Sequence, residues 1–133
     1  MNKFFYYIVS LFCFMIMDGI WLGLLMKNMY QTMLGSMLRP FQAFQPVHGI
    51  ATLLVWICIV SGIWIFVTPL TAYKTYTQTF FYGALFGLLL YGVYEGTNFV
   101  VLNQWPLSIV ILDIAWGMFA CGTLSLIIKK LHS

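Results

Sequence analysis

Four long apolar runs, separated by short polar segments, make up most of the chain and cover residues 4–26, 47–67, 81–102 and 107–128. Each run has the ~20 residues that an α-helix needs to cross the ~30 Å hydrocarbon core of a bilayer. A helix satisfies its backbone hydrogen bonds within its own segment, as lipid requires. The pattern therefore predicts an all-α fold, a four-helix transmembrane bundle.

The ends of the first two runs carry further signals. The first run follows Met1-Asn2-Lys3, as the apolar part of a signal peptide would, but it is too long for one, contains Asp18 and lacks a small-x-small cleavage site. We interpret it as an uncleaved signal anchor. The second run is followed by Pro69, which would break a continuing helix.

The connection between the first two runs is amphipathic. From Lys27 to Arg39, at about 100° per residue, apolar residues fill one half of a helical wheel and polar residues the other. This predicts a short amphipathic helix in the membrane interface, with its apolar face toward lipid. Thioether ligation of a soft metal is an alternative role for its methionines, but we favour a flexible apolar face that packs against lipid or other helices. These methionines are Met26, Met29, Met33 and Met37.

Composition agrees with a membrane location. Of the 133 residues, 62% are hydrophobic and 7% are charged, and the mean hydropathy is +0.95. A soluble domain is about half apolar and about a quarter charged. We therefore expect residues 1–133 to form a single integral membrane domain whose main partner is membrane lipid. The six basic residues are scattered apart from Lys129-Lys130, so no nucleic-acid partner is expected.

The basic residues also predict orientation. Four spans place both termini on one side, and the four-to-two excess of basic residues on that side places the termini in the cytoplasm. The terminal side holds Lys3, Lys74, Lys129 and Lys130, and the other side holds Lys27 and Arg39.

All three acidic residues, Asp18, Glu95 and Asp113, lie within the apolar runs. Each costs about 3 kcal/mol if it is ionised and unpaired at the bilayer centre. They lie eight, seven and six residues from the ends of their runs on the side away from the termini, which is roughly 9–12 Å at 1.5 Å per residue. A common depth on three different spans predicts a shared site inside the bundle.

The neighbours of the acids extend this site. A tryptophan follows the acid at i+3 in the first and fourth runs, while a tyrosine at i−4 and an asparagine at i+3 share the face of Glu95. Small residues beside the acids would let the helices approach closely. The predicted ligand- or ion-binding residues are Asp18, Trp21, Tyr91, Glu95, Asn98, Asp113 and Trp116. The small residues are Gly19, Gly23, Gly83, Gly87, Gly92, Gly96, Gly117 and Ala120.

No Lys or Arg lies deep in any run, so the acids lack a counter-ion at their own level, and a retinal Schiff base is excluded. Protonation, hydrogen bonding or a bound cation must then stabilise them, and a metal ion could be held by the three acids. Lys27, Arg39 and His48 are assigned to the mouth or gate of this site, and for His48 we favour hydrogen bonding at the helix end over a role as a ligand. Trp105, beside Pro106 in the outer turn, is interpreted as an interfacial anchor.

Other cofactors are not expected. His48 and His132 lie on opposite sides of the membrane, so they cannot jointly ligate a haem. The sequence has no phosphate loop, so no nucleotide is expected, and it has none of the standard catalytic motifs.

These motifs resemble the bacterial domain-of-unknown-function family 2177, whose members are small predicted membrane proteins. The resemblance covers nearly the whole chain and implies a four-span protein of the bacterial inner membrane, but no activity. The Glu95 position is more usually Asp in that family. The matching stretches are Asp18-Gly-Ile-Trp21-Leu-Gly23, Tyr30 with Leu34-Gly35, Gly83 through Gly87 to Tyr91, Tyr94-Glu95-Gly-Thr97-Asn98, Trp105-Pro106 and Asp113-Ile-Ala-Trp116-Gly117.

Three functions fit the sequence. The first is proton- or cation-coupled transport of a small molecule, for which four spans form a thin bundle and predict a homodimer. The second is a membrane-embedded enzyme acting on lipid, with the acids as acid/base groups or metal ligands and His48 assisting. The third is a structural or partner-binding membrane subunit. Whether the protein is an enzyme is left open.

Overall fold

The computed structural model describes residues 2–133, and this part of the chain is helical, without strands. Four helices are long and apolar enough to cross a membrane, which confirms the predicted all-α, four-span fold. They are α1 (Lys3–Leu25), α3 (Pro46–Leu70), α4 (Tyr76–Val101) and α5 (Leu107–His132). A shorter helix, α2 (Lys27–Leu34), lies between α1 and α3.

Two of the spanning helices contain a π-helical turn, Trp21–Leu25 at the end of α1 and Ile63–Val67 within α3. A π turn inserts an extra residue and so changes which side chains share a face beyond it. In α1 the turn begins three residues after Asp18, at the first tryptophan of the predicted site.

The helix α2 is shorter than the predicted Lys27–Arg39 segment. It ends at Leu34 because Gly35 adopts φ +51°, in the left-handed region that favours glycine. Two short 3₁₀ turns, Gly35–Met37 and Phe41–Ala43, then lead to α3. The interfacial position of α2 stays a prediction.

The helices α4 and α5 pack most extensively, and glycines lie where they cross. A Cβ atom at Gly87 would overlap the backbone carbonyl of Gly117, and one at Gly117 would overlap the ring of Tyr91. By contrast, a Cβ atom at Gly92 or Gly96 would meet nothing within 4 Å. Of the glycines predicted to let the helices approach closely, Gly87 and Gly117 lie at the crossing of α4 and α5, and Gly92 and Gly96 do not.

The hydrophobic core lies toward the termini, and α5 is the central helix. In the most apolar stretch of α5 39% of residues are buried, against 17–22% in the other spanning helices. The core residues are Leu11, Phe14, Ile59, Val60, Ile63, Val67, Ala120, Cys121, Leu124 and Ile128. In α1 and α5 these core residues lie nearer the chain termini than Asp18 and Asp113 do.

Candidate functional site

A cavity of about 860 Å³ lies in the half of the bundle away from the termini. All five helices contribute to its wall, which is mostly aliphatic and aromatic. Two carboxyl groups, those of Asp18 and Asp113, are part of this wall. No Lys, Arg or His side chain is among the lining residues within the described part of the chain.

Both carboxylate oxygens of Asp18 accept hydrogen bonds from tryptophan side chains. The Nε1 atom of Trp56 on α3 donates to Oδ2 at 2.8 Å, and that of Trp116 on α5 donates to Oδ1 at 3.2 Å. Each oxygen of Asp18 thus has a neutral donor. Both hydrogen bonds to the Asp18 carboxyl group therefore come from uncharged side chains.

Tyr30 connects α2 to Asp113. The Tyr30 hydroxyl donates to Asp113 Oδ1 and accepts from Trp21 Nε1 at 3.1 Å. Burial raises the pKa of Tyr30, and the hydrogen bond to Asp113 raises it further, so the phenol is a neutral donor at ordinary pH. Through this contact the short helix α2 is attached to the central helix.

A stacked pair of tryptophans joins the two acids. The ring centroids of Trp21 and Trp116 lie 4.7 Å apart, and the angle between the ring planes is 4°. The tryptophan of α5 donates to the acid of α1, while the tryptophan of α1 reaches the acid of α5 through Tyr30. The repeated Asp-x-x-Trp pattern therefore forms a reciprocal network between α1 and α5.

Glu95 is fully buried and lies beside Asp113. Its Oε2 atom accepts from Trp105 Nε1 at 2.7 Å, whereas Oε1 has no hydrogen-bond partner in the described part of the chain. The carboxyl groups of Glu95 and Asp113 are neighbours. Because two adjacent carboxylates repel each other, such a pair is stable when it holds one proton or a cation.

The sequence-predicted residues fall into two groups. Asp18, Trp21, Tyr91, Asp113 and Trp116 line the cavity, and Glu95 lies behind Asp113. The others, Lys27, Arg39, His48 and Asn98, do not line it.

His48 has a local role at the start of α3. Its Nδ1 atom accepts the backbone N–H of Gln45 at 2.9 Å, and its ring packs edge-on against Phe44. The structure thus gives His48 a helix-capping contact. Its predicted role at a gate is not tested by this contact and stays a prediction, as do those of Lys27 and Arg39.

Three residues of the network, Tyr30, Trp56 and Trp105, were absent from the predicted site. Trp105, interpreted from the sequence as an interfacial anchor, donates to Glu95. The signal that could have found it was the tight turn between α4 and α5, which returns the chain past Glu95 within ten residues and contains Gln104 at φ 64°. Tyr30 lies in a stretch that matches the family, but nothing there indicated its partner, which lies 83 residues away.

The acids do not form a compact cluster. Within residues 2–133, no group of three or more His, Cys, Asp or Glu side chains is arranged to hold a metal ion. Glu95 and Asp113 are neighbours, while Asp18 is linked to them through the aromatic network. The predicted metal site at the three acids remains untested.

Comparisons with known proteins give a family but no activity. A family model described as "Predicted membrane protein (DUF2177)" matches residues 3–128. No curated protein and no solved structure matches the chain.

Proposed function

The chain belongs to the DUF2177 family of predicted membrane proteins, and we propose that it transports a lipophilic, positively charged small molecule coupled to protons or to an inorganic cation. The observation that carries this proposal is the cavity of about 860 Å³, which has two carboxyl groups and no basic side chain among its lining residues. The proposal includes a bacterial inner-membrane location with both termini in the cytoplasm.

The chemistry of the wall favours a cationic ligand with an apolar body. A carboxylate in the membrane interior costs about 3 kcal/mol when it is uncompensated, so a positive ligand gains from neutralising it. Aromatic faces attract cations and also accept flat apolar groups. The stacked Trp21 and Trp116, with Tyr91 nearby, supply such faces beside Asp18 and Asp113.

Competition at one carboxyl pair supports the coupling. Glu95 and Asp113 are stable together when they share a proton or hold a cation. A cationic ligand that contacts Asp113 from the cavity would release that proton, and reprotonation would release the ligand. Exchange of a proton for a cationic ligand requires that the two do not occupy the carboxyl pair at the same time, since the protein must not carry both in one direction.

The cavity wall reaches the outer surface of the bundle, which supports access from lipid. Leu54 and Val55 of α3 are 54% and 55% exposed, and Tyr94 of α4 is 58% exposed. All three line the cavity. An amphiphile dissolved in the membrane could therefore enter sideways, with its charge directed toward Asp113.

A homodimer is part of the proposal. Gly92 and Gly96 form a Gly-x-x-x-Gly face on α4, and a Cβ atom added at either position would meet nothing within 4 Å. Such faces allow close helix contacts in membranes. A second copy docked there would thicken the wall on the side of Glu95, which lies between the two glycines in sequence.

Binding is tested with tetraphenylphosphonium, a lipophilic cation, by tryptophan fluorescence in nanodiscs. We expect saturable quenching at neutral pH that weakens as the pH falls, because protons compete for the carboxyls. Asp113→Asn should weaken binding about tenfold or more, the expected loss for a charge-assisted contact. Unchanged binding in Asp113→Asn and in Asp18→Asn would contradict the proposed role of the cavity.

Coupling is tested in liposomes carrying a proton gradient. Uptake of tetraphenylphosphonium against its own gradient should be abolished by Glu95→Gln and retained in part by Glu95→Asp, which keeps the ionisable group. Equal uptake by wild type and Glu95→Gln would refute coupling at this pair.

A membrane-embedded enzyme acting on lipid is the second candidate. The adjacent carboxyls of Glu95 and Asp113, with the Tyr30 hydroxyl, could supply an acid/base pair within reach of lipid. Mass spectrometry of lipids incubated with the protein would reveal a product that is absent with Glu95→Gln. If neither binding, uptake nor lipid chemistry depends on the three acids, the third interpretation, a structural or partner-binding subunit, is favoured.

A further inference from the structure

We propose that a second cavity, at the terminal end of the bundle, binds a phosphate-bearing anion such as the headgroup of an anionic phospholipid. This cavity has a volume of about 560 Å³ and lies between the ends of the four spanning helices. Its lining includes Lys3, Trp64, Thr68, Thr71, Lys129 and His132. The proposed transport cycle uses none of these residues.

The cavity has a basic lining. Lys3, Lys129 and His132 contribute to it, and no Asp or Glu side chain does so within the described part of the chain. The Nζ atom of Lys129 donates to the carbonyl oxygens of Thr71 at 2.9 Å and Ala72 at 3.3 Å. An ammonium group has three N–H donors, so one remains for a ligand. The two carbonyls hold the ammonium at the cavity without neutralising its charge.

A buried hydroxyl without a partner lies in the same wall. The Oγ1 atom of Thr68 is inaccessible and makes no hydrogen bond to any of residues 2–133, whereas Thr71 Oγ1 donates to Val67 O at 2.9 Å. Buried polar atoms are nearly always hydrogen-bonded, so an orphaned hydroxyl indicates a missing partner. A rotation of the Thr68 side chain about χ1 would bring this hydroxyl to the cavity, where a phosphate oxygen would accept from it and from Lys129 together.

His132 is held at the same cavity by its neighbours. Its Nδ1 atom lies 2.8 Å from Ile128 O and must donate, because a carbonyl only accepts, and Nε2 can then donate to an anion when the imidazole is protonated. The ring packs edge-on against Trp64, 5.0 Å between centroids. Basic pockets between spanning helices bind phospholipid headgroups, and this one combines two lysines, a histidine and an unpaired hydroxyl.

The test uses native mass spectrometry of the full chain released from nanodiscs of equal parts phosphatidylglycerol and phosphatidylcholine. Wild type should retain phosphatidylglycerol preferentially. Lys129→Met should lower that preference about tenfold. Thr68→Val removes only the unpaired hydroxyl and should not lower thermal stability. It should lower the preference for phosphatidylglycerol about fivefold. Lys130→Met is the matched control, because Lys130 is exposed and outside the cavity.

A separate arm identifies the source of the phosphate. Delipidated protein in neutral detergent is titrated with inorganic phosphate, and a thermal shift lost in Thr68→Val would assign the site to free phosphate. Equal retention of both lipids together with no phosphate shift would overturn the proposal. An equal loss in Lys130→Met and Lys129→Met would also overturn it, because diffuse charge would then explain the preference.

Discussion

Replacement of Gly87 by alanine should force α4 and α5 apart. A Cβ atom at Gly87 would overlap the carbonyl of Gly117 and lie 3.0 Å from the Cα atom of Met118. These are backbone atoms, so no side-chain rotation can relieve the overlap. Gly49→Ala is the matched control, because it makes the same change in α3 with nothing within 4 Å of the new Cβ atom.

The expected magnitude follows from two opposing effects. Overpacking of an interior costs about 1–3 kcal/mol, and alanine regains up to about 1 kcal/mol over glycine through helix propensity. The free energy of unfolding should therefore fall by about 1–2 kcal/mol in Gly87→Ala and stay unchanged or rise in Gly49→Ala. A gap of about 2 kcal/mol between the variants is roughly thirtyfold in the unfolding equilibrium.

The assay is unfolding by sodium dodecyl sulfate in bicelles, followed by helical circular dichroism. Tetraphenylphosphonium binding should also weaken in Gly87→Ala, because Glu95 lies two turns from Gly87 and Asp113 lies one turn from Gly117. Equal stability of the two alanine variants would refute the close crossing of α4 and α5.

Three further predictions concern the network. In a cysteine-free background, Glu95→Cys with Asp113→Cys should be joined by a short bifunctional thiol reagent, and failure to crosslink would contradict their contact. Trp116→Phe should abolish the far-ultraviolet exciton signal of the stacked tryptophans, and Trp64→Phe should keep it; a signal that survives in Trp116→Phe would exclude the stack. Because burial and Asp113 raise the pKa of Tyr30, the folded protein should lose stability as the pH rises above about 10, the ordinary tyrosine value. Tyr30→Phe should therefore leave the tyrosinate absorbance of the folded protein at about pH 11 unchanged, and a fall by the absorbance of one tyrosinate would show that Tyr30 ionises normally.

The sequence predicted a common depth for the three acids, but it did not indicate their hydrogen-bond partners. Counting residues from the ends of the apolar runs placed Asp18, Glu95 and Asp113 at one depth, since a helix rises by a fixed 1.5 Å per residue. The sequence did not indicate how α1 is rotated about its axis beyond Asp18, because a π turn begins at Trp21 and changes which side chains share a face after it. The hydrogen bonds that link the tryptophan of each helix, α1 or α5, to the acid of the other depend on that rotation.

The sequence by itself determined that the chain is a four-span, all-α membrane protein, because length and hydropathy alone decide whether a segment can cross lipid. It also determined which residues are costly in lipid, because each of the three acids lies within an apolar run. Only the tertiary structure decided that Glu95 pairs with Asp113, that Asp18 lies apart from them, and that Tyr30 joins the network. Those contacts join residues far apart in the chain, and they depend on how the helices pack and rotate against one another, which no local pattern specifies.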